Sequence, residues 1–304
     1  MINELTILGC HSATPRANAY PSAQLLCLRG RHFLIDCGEG TQMRIREQKI
    51  SFAKIKHIFI SHLHGDHFFG LIGLISTFSL LNRAPELHIY GPKGLKEILL
   101  LQLKLSESYT RFPLVFHELT SKHSEKIFED DKVEVYTVPL SHRVYTNGFL
   151  FKEKEKERKL NISAIGEYPE IEICDYQNLK DGKDYVLESG KVVNNGELTF
   201  DPDRAKSFAY LSDTSYKPDI CELISKCDLI YHESTFLKTE EALAKKTKHS
   251  TAEQAAKIAE QAKVKTLLLG HYSNRYKGTS EFIQEAKRIF PSVKAAESGK
   301  KFTF

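Results

Sequence analysis

Three imidazoles and a carboxylate stand within six residues in the run His62-Leu63-His64-Gly65-Asp66-His67. Directly before it lies the apolar, strand-like stretch Lys56-His57-Ile58-Phe59-Ile60. Side chains of a strand alternate between its faces, so His62 and His64 can share a face, while a turn at Gly65 redirects Asp66 and His67 toward neighbouring space. Donors crowded in this way need a cation to offset their desolvation. The pattern therefore points to a metal site at the end of a strand, and two adjacent ions fit it better than one. Three further donors end strand-like runs of their own: His142 after residues 133–141, Asp213 after 208–212 and His271 after 266–270. In α/β folds the carboxyl ends of strands meet on one rim, where sites are built.

The elements that must carry these donors alternate along the chain. Short β-branched or apolar runs near 3–9, 23–29, 31–36, 55–60, 86–90, 133–139, 147–152, 207–212, 227–232 and 265–270 read as strands. Segments of helical period lie near 67–81, 93–105, 216–225, 251–263 and 279–290. Two strand-rich halves suggest a layered α/β sandwich flanked by helices. One segment departs from this pattern, from Lys152 to about Phe200, opening on Lys-Glu-Lys-Glu-Lys-Glu-Arg-Lys. If extended, its sign alternation puts lysines on one face and glutamates on the other, a solvated hairpin edge that resists self-pairing.

Composition narrows the class without naming it. The chain has 304 residues, 41% hydrophobic and 27% charged, with no apolar run approaching the roughly 20 residues of a membrane helix. Its first residues enter a strand pattern at once, without the apolar stretch of a signal peptide, so no membrane span and a cytoplasmic location are expected. Six cysteines form no CxxC pair, which favours reduced thiols and a metal held through nitrogen and oxygen. A net charge of +4 permits a polyanionic partner but does not demand one.

On its histidine run the chain resembles the metallo-β-lactamase superfamily, whose His-x-His-x-Asp-His motif is met without substitution by His62, His64, Asp66 and His67. Within that superfamily it resembles the ribonuclease Z family of tRNA 3′-processing endonucleases. That likeness is carried by Asp36-Cys37-Gly38-Glu39-Gly40-Thr41-Gln42, Tyr90-Gly91-Pro92-Lys93-Gly94, Leu211-Ser212-Asp213-Thr214 and His232-Glu233-Ser234-Thr235-Phe236. It continues through His249-Ser250-Thr251-Ala252-Glu253-Gln254 and Gly270-His271-Tyr272-Ser273 with Arg275-Tyr276. The resemblance implies an αββα sandwich of two mixed sheets flanked by helices, residues 1–304 forming a single domain with 152–200 inserted as a protruding exosite arm for tRNA.

The resemblance also implies two Zn²⁺ ions per subunit. One is expected on His62, His64 and His142, the other on Asp66, His67 and His271, with Asp213 bridging. Imidazole and carboxylate suit zinc, and two ions roughly 3.5–4 Å apart can clamp the attacking and departing oxygens of a phosphoryl displacement. The implied reaction is attack of zinc-bound hydroxide on precursor tRNA, releasing the 3′ trailer with a 5′-phosphate and leaving a 3′-hydroxyl on the tRNA. Asp66 is the implied proton acceptor, His249 the candidate donor to the leaving group and Glu233 a candidate orienting carboxylate. Ser250-Thr251-Ala252-Glu253 reads as a capping box, which places His249 just before a helix whose free amides favour a phosphate. Asp36 is expected to support the ligands or to cap the turn around Gly38 and Gly40, and the two roles can hold together.

For the substrate, Lys154, Lys156, Lys180, Lys183 and Arg275 are the candidate phosphate contacts. The arm departs from the family pattern, with Ile173-Cys174 standing where a Gly-Pro pair is common ahead of Tyr176. A homodimer, one subunit's arm presenting tRNA to the other's site, is a further implication. The competing expectation is a two-zinc hydrolase of small phosphodiesters or thioesters, which has no need of a charged arm.

Overall fold

Adjacent apolar residues of the early strands divide between two cores. Ile7, Leu26, Phe33 and Phe59 join one cluster with Val135, Phe149, Phe151, Phe208 and Tyr210, while Leu8, Leu25, Leu34 and Ile58 join another with Leu71, Leu74, Phe78 and Leu99. A period of two with both faces apolar is the signature of a strand covered on each side. The computed structural model describes residues 2–304.

The chain opens with β1 (Glu4–Gly9), β2 (Ala23–Leu28), β3 (Arg31–Ile35), α1 (Thr41–Glu47), β4 (Ile55–Phe59), the one-turn α2 (Gly65–Phe68) and α3 (Gly70–Leu80). It continues through β5 (Leu87–Pro92), α4 (Leu95–Leu105), β6 (Leu114–Leu119), β7 (Lys126–Glu129), β8 (Val133–Pro139) and β9 (Asn147–Glu153). Short elements follow: β10 (Lys159–Leu160), α5 (Ile162–Ile165), α6 (Tyr176–Lys180), β11 (Tyr185–Val186), β12 (Val192–Val193), α7 (Asn195–Leu198) and β13 (Thr199–Phe200). The remainder is β14 (Ser207–Leu211), β15 (Leu229–Glu233), α8 (Glu241–Thr247), α9 (Ala252–Gln261), β16 (Thr266–Gly270), α10 (Ser280–Lys287), β17 (Val293–Ala295) and β18 (Lys301–Thr303).

Two mixed seven-stranded sheets result, ordered β18-β1-β2-β3-β4-β5-β6 and β17-β16-β15-β14-β9-β8-β7. The first cluster joins the inner faces of the two sheets and takes in the buried faces of α9 and α10, and the second lies between the first sheet and α1, α3 and α4. This is the metallo-β-lactamase sandwich. In the second sheet β14, β15 and β16 run parallel with Leu211 opposite His232 and His232 opposite Leu269, so Asp213, Glu233 and His271 leave the sheet at one edge. β9 is antiparallel to β14, with Phe149 opposite Tyr210, which brings the β8–β9 turn and His142 to the same edge. In the first sheet β3 and β4 are parallel with Ile35 opposite Phe59, so Asp36 and Ser61 leave side by side.

Residues 153–206 form a separate compact unit. Ile165, Ile171, Leu179, Val193 and Leu198 make a small core of their own, flanked by the β10–β13 and β11–β12 pairs. The solvated hairpin expected here is not formed: residues 154–158 adopt no strand. Arg158 turns inward instead, and its Nε donates to Thr199 Oγ1 at 2.7 Å.

The helix expected at 216–225 is also replaced, by a 3₁₀ turn at Pro218–Ile220 and further turns. Proline disfavours helix for the residue before it, and Cys221, Ser225 and Cys227 bond three residues back, to Pro218, Glu222 and Ile224, with Ile224 to Ile220 a bond of helical span among them. Among the described residues all six cysteines are free, and no helix is long and apolar enough to cross a membrane.

Candidate active site

Asp36 organises the first sheet's contribution. Its backbone takes φ 55°, in the left-handed region, and its amide is held by Phe59 O at 2.8 Å. The carboxylate accepts from Ser61 N at 2.8 Å, Ser61 Oγ at 2.9 Å and Tyr210 OH at 2.6 Å, and lies 2.7 Å from His67 Nδ1. None of it caps the Gly38–Gly40 turn, so of the two expectations for Asp36 the geometry shows the supporting one. His271, φ 60°, is the counterpart on the second sheet, its amide held by Cys10 O at 2.8 Å. Backbone strain of about 1–3 kcal/mol at such positions persists only where the surroundings over-determine it.

All seven expected donors converge. His62 Nε2 lies 3.0 Å from His64 Nδ1 and 3.6 Å from Asp213 Oδ2; His142 Nε2 lies 3.3 Å from His64 Nδ1 and 3.9 Å from Asp213 Oδ2. The second set is tighter. His67 Nε2 stands 3.4 Å from Asp66 Oδ2 and 3.5 Å from Asp213 Oδ1, and His271 Nε2 stands 3.4 Å and 3.2 Å from the same two oxygens. Donors about 2.0–2.1 Å from a tetrahedral ion are separated by roughly 3.4 Å; His62, His64, His142 and Asp213 are grouped closely enough for a four-donor site, and Asp66, His67 and His271 for a three-donor one, with Asp213 Oδ1 beside its two imidazoles. Asp213 contributes one oxygen to each.

Two further observations fit a cation. Among the described residues His67 Nε2 and Asp213 Oδ1 are buried and have no hydrogen-bond partner, although Asp36 orients the His67 ring through Nδ1. Burial lowers the pKa of His62 well below the usual value, that of His64 below it, and that of His142 to about 4, which keeps all three in the neutral, ligating form. At His67 burial acts the same way, but the charges of Asp66, Asp213 and Asp36 overcome it and raise the pKa well above normal. That excess of negative charge is what a cation on this side would neutralise.

His249 follows α8 and a left-handed Lys248, φ 57°. Its Nδ1 lies 3.0 Å from Glu233 Oε1 and 4.0 Å from Asp213 Oδ2, so the nearer carboxylate claims it and leaves Nε2 for the cleft. Burial pushes the His249 pKa down, but Glu233 and Asp213 more than offset this and set it at about 9. Glu233 is fully buried and accepts from Thr214 N, Ser250 N, Thr235 N and Thr235 Oγ1 at 2.8–3.0 Å. Thr235 Oγ1 in turn lies 2.9 Å from His271 Nδ1.

The helix start behind His249 differs from the sequence reading. The capping box is Thr251 with Gln254, one residue later than expected, because Ser250 Oγ donates to Thr214 O at 2.7 Å. The first amides are not free for a phosphate: Ser250 N goes to Glu233, Thr251 N to Gln254 Oε1, Ala252 N to Phe236 O and Glu253 N to Glu285 Oε1.

The donors border a cleft of about 510 Å³ whose lining includes His64, Asp66, Asp213, His249, His271 and Arg143. Arg143 is an exposed cation that the sequence reading passed over, and its place directly after the donor His142 was the available signal. Ser61 and Thr235, which orient ligating rings, were likewise legible only in three dimensions.

The candidate phosphate contacts are largely occupied. Lys156 Nζ lies 3.2 Å from Glu153, Lys180 Nζ lies 3.8 Å from Glu157, and Lys183 Nζ donates to Asn178 Oδ1 at 2.8 Å. Lys154 is half-buried within the same unit and has a partner of its own. Arg275 pairs with Glu240 at 3.6 Å and sits 5.5 Å from the Phe236 ring centre. The unit 153–206 carries nine Lys and Arg against 13 Asp and Glu, a net charge of −4, which leaves the rest of the chain at +8.

Comparison with known proteins places this geometry in a lineage. Residues 3–164 match a family model described as Anti-Pycsar protein Apyc1, and residues 190–272 match one described as Beta-lactamase superfamily domain. A ribonuclease Z of Bacteroides fragilis is 44% identical over 95% of each chain, and one of Cytophaga hutchinsonii is 45% identical over 98% of this chain and 95% of the relative. The crystal structure of human tRNase Z, short form, superposes with a TM-score of 0.71 at 28% identity, covering 98% of both chains. With such identity over nearly the whole length, the chain belongs to the ribonuclease Z family.

Proposed function

We propose that this endoribonuclease removes the 3′ trailer from precursor tRNA, using two divalent ions, preferentially zinc. The observation that carries this reading is the division of Asp213, one carboxylate oxygen grouped with His62, His64 and His142, the other facing His67 and His271, which stand with Asp66. Those residues would hold the ions. Divalent ions there supply a nucleophilic water at neutral pH and stabilise charge on a phosphoryl group.

The chain's own groups do the rest. Asp66 Oδ2 is engaged with His67 and His271, which leaves Oδ1 to accept a proton from water in the cleft. His249, protonated at neutral pH through Glu233, donates from Nε2 to the departing 3′-oxygen of the tRNA. The tRNA keeps a 3′-hydroxyl and the trailer leaves with a 5′-phosphate. Arg143 meets phosphate charge at the cleft, and the net +8 outside residues 153–206 supplies most of the sequence-independent attraction. The unit 153–206 acts as a tRNA exosite through shape more than through charge.

The enzyme works in the cytoplasm as a homodimer. Support for dimerisation is the exposure of the large apolar side chains Leu80, Leu101, Leu105 and Tyr109 on α3, α4 and the loop after them. The test of function is the ratio of kcat/KM on a 3′-extended precursor tRNA to that on bis-p-nitrophenyl phosphate. A ratio of several orders of magnitude is expected; comparable values would favour a small phosphodiester as substrate.

A further inference from the structure

We propose that Phe69 is the stacking platform for a nucleobase flanking the scissile phosphate, so that an aromatic face, and not only charge, sets the register of the RNA across the donor cluster. This rests on the ribonuclease reading above.

Phe69 is a large aromatic with 56% of its surface exposed, while its neighbour Phe68 is 5% exposed and packs in the core. The exposed ring borders the same cleft as His64, Asp66, Arg143 and His249. Its seat is built: a Cβ on Gly65 would stand 2.2 Å from Phe69 Cε2, so only glycine there lets the ring lie against the backbone of the ligand run. Phe68 props it edge-on, with ring centres 4.8 Å apart and planes at 65°. The Phe69 amide closes the α2 turn onto Gly65 O at 2.9 Å, fixing the ring's origin relative to Asp66 and His67. Phe69 thus lies outside both hydrophobic cores and donates nothing to the donor sets, yet is held beside them.

The chemistry that fits such a face is a base of unpaired RNA. Every base has a π face, so stacking tolerates any trailer sequence, whereas edge hydrogen bonds would select one. A 3′ extension is single-stranded where it must be cut. Loss of one stack typically lowers affinity by about tenfold or more.

The experiment uses the metal-loaded full chain and three 3′-extended precursor tRNAs: one intact, one abasic at the nucleotide 5′ of the scissile phosphate, one abasic at the nucleotide 3′ of it. Phe69→Leu keeps an apolar side chain over Gly65 and removes the π face; Phe69→Tyr retains both. On the intact precursor Phe69→Leu should lose about tenfold or more in kcat/KM and Phe69→Tyr about twofold or less. One abasic precursor should cost the wild-type chain a similar factor, and on that precursor Phe69→Leu should cause no further loss. Equal losses for Phe69→Leu on all three precursors would make the ring a packing element and overturn the proposal, as would no loss on the intact one. If Phe69→Leu does not fold, Phe69→Met supplies the same comparison. An intact precursor left uncut by the wild-type chain would instead overturn the ribonuclease reading itself.

Discussion

Asp36 holds His67 by Nδ1, 2.7 Å from its Oδ2, and thereby turns Nε2 of the same ring toward Asp66 and Asp213. A carboxylate behind a ligating imidazole fixes its tautomer and orientation and raises its basicity. Asp36→Asn should therefore leave the fold in place and lower metal affinity about 10–100-fold, the usual cost of losing such a partner. Chelator competition followed by metal analysis measures it; unchanged affinity would remove Asp36 from the site's support.

His249 and Glu233 separate by what each touches. His249→Ala should slow cleavage by about 10²–10⁴-fold, the typical contribution of a positioned proton donor, with both metals retained. Empty sites in that variant would contradict the division of roles. Glu233→Ala removes an acceptor from Thr214, Ser250 and Thr235 at once. Each buried donor left unsatisfied costs about 1–3 kcal/mol, so this variant should lose thermal stability as well as rate. A melting temperature equal to wild type would overturn the anchoring role given to Glu233.

The unit 153–206 begins and ends on paired backbone, Glu153 N donating to Lys206 O at 2.8 Å and Lys206 N to Glu153 Oε2 at 3.2 Å. It can be excised by joining those residues through a short Gly-Ser linker. The shortened chain should hydrolyse bis-p-nitrophenyl phosphate at close to the wild-type rate and lose precursor tRNA cleavage mainly through KM. Replacing Lys154, Lys156, Lys180 and Lys183 by alanine should cost far less than excision, since the unit carries a net charge of −4 and acts through shape more than through charge. Equal effects of the two changes would restore charge as the unit's means of recognition.

The exposed leucines of α4 give the dimer a direct test. Leu101→Glu with Leu105→Glu should shift the molecular mass measured by light scattering from dimer to monomer. An unchanged dimer would place the interface elsewhere.

The convergence of the seven candidate donors was legible in the sequence because each lies just beyond a strand: parallel β14 and β16 deliver Asp213 and His271 to one edge, the β8–β9 turn brings His142 there, and the run after β4 supplies the rest. The supporting contacts were not, since Asp36 and Tyr210, or Glu233 and Ser250, are joined only by the packing of one sheet on the other or of a helix start on a strand end. The capping box was misplaced by one residue because Ser250 and Thr251 are chemically equivalent caps. Only the carbonyl of Thr214, which takes the Ser250 hydroxyl, distinguishes them. β6, β7, β17 and β18 escaped notice because three- to six-residue strands with mixed polarity carry little alternation. The unit 153–206 hid its core for a similar reason. Ile165, Ile171, Leu179, Val193 and Leu198 are spread too widely to mark a face of any one element.

The central claim is tested most directly by product mapping. Metal-loaded protein and its Asp66→Ala variant are incubated with a 3′-extended precursor tRNA labelled at its 5′ end, and the product is sized to one nucleotide with its end groups determined. A single cut at the junction of tRNA and trailer, leaving a 3′-hydroxyl and a 5′-phosphate and absent in the variant, is the predicted result. An uncut precursor, with bis-p-nitrophenyl phosphate still hydrolysed by the same preparation, would contradict the account.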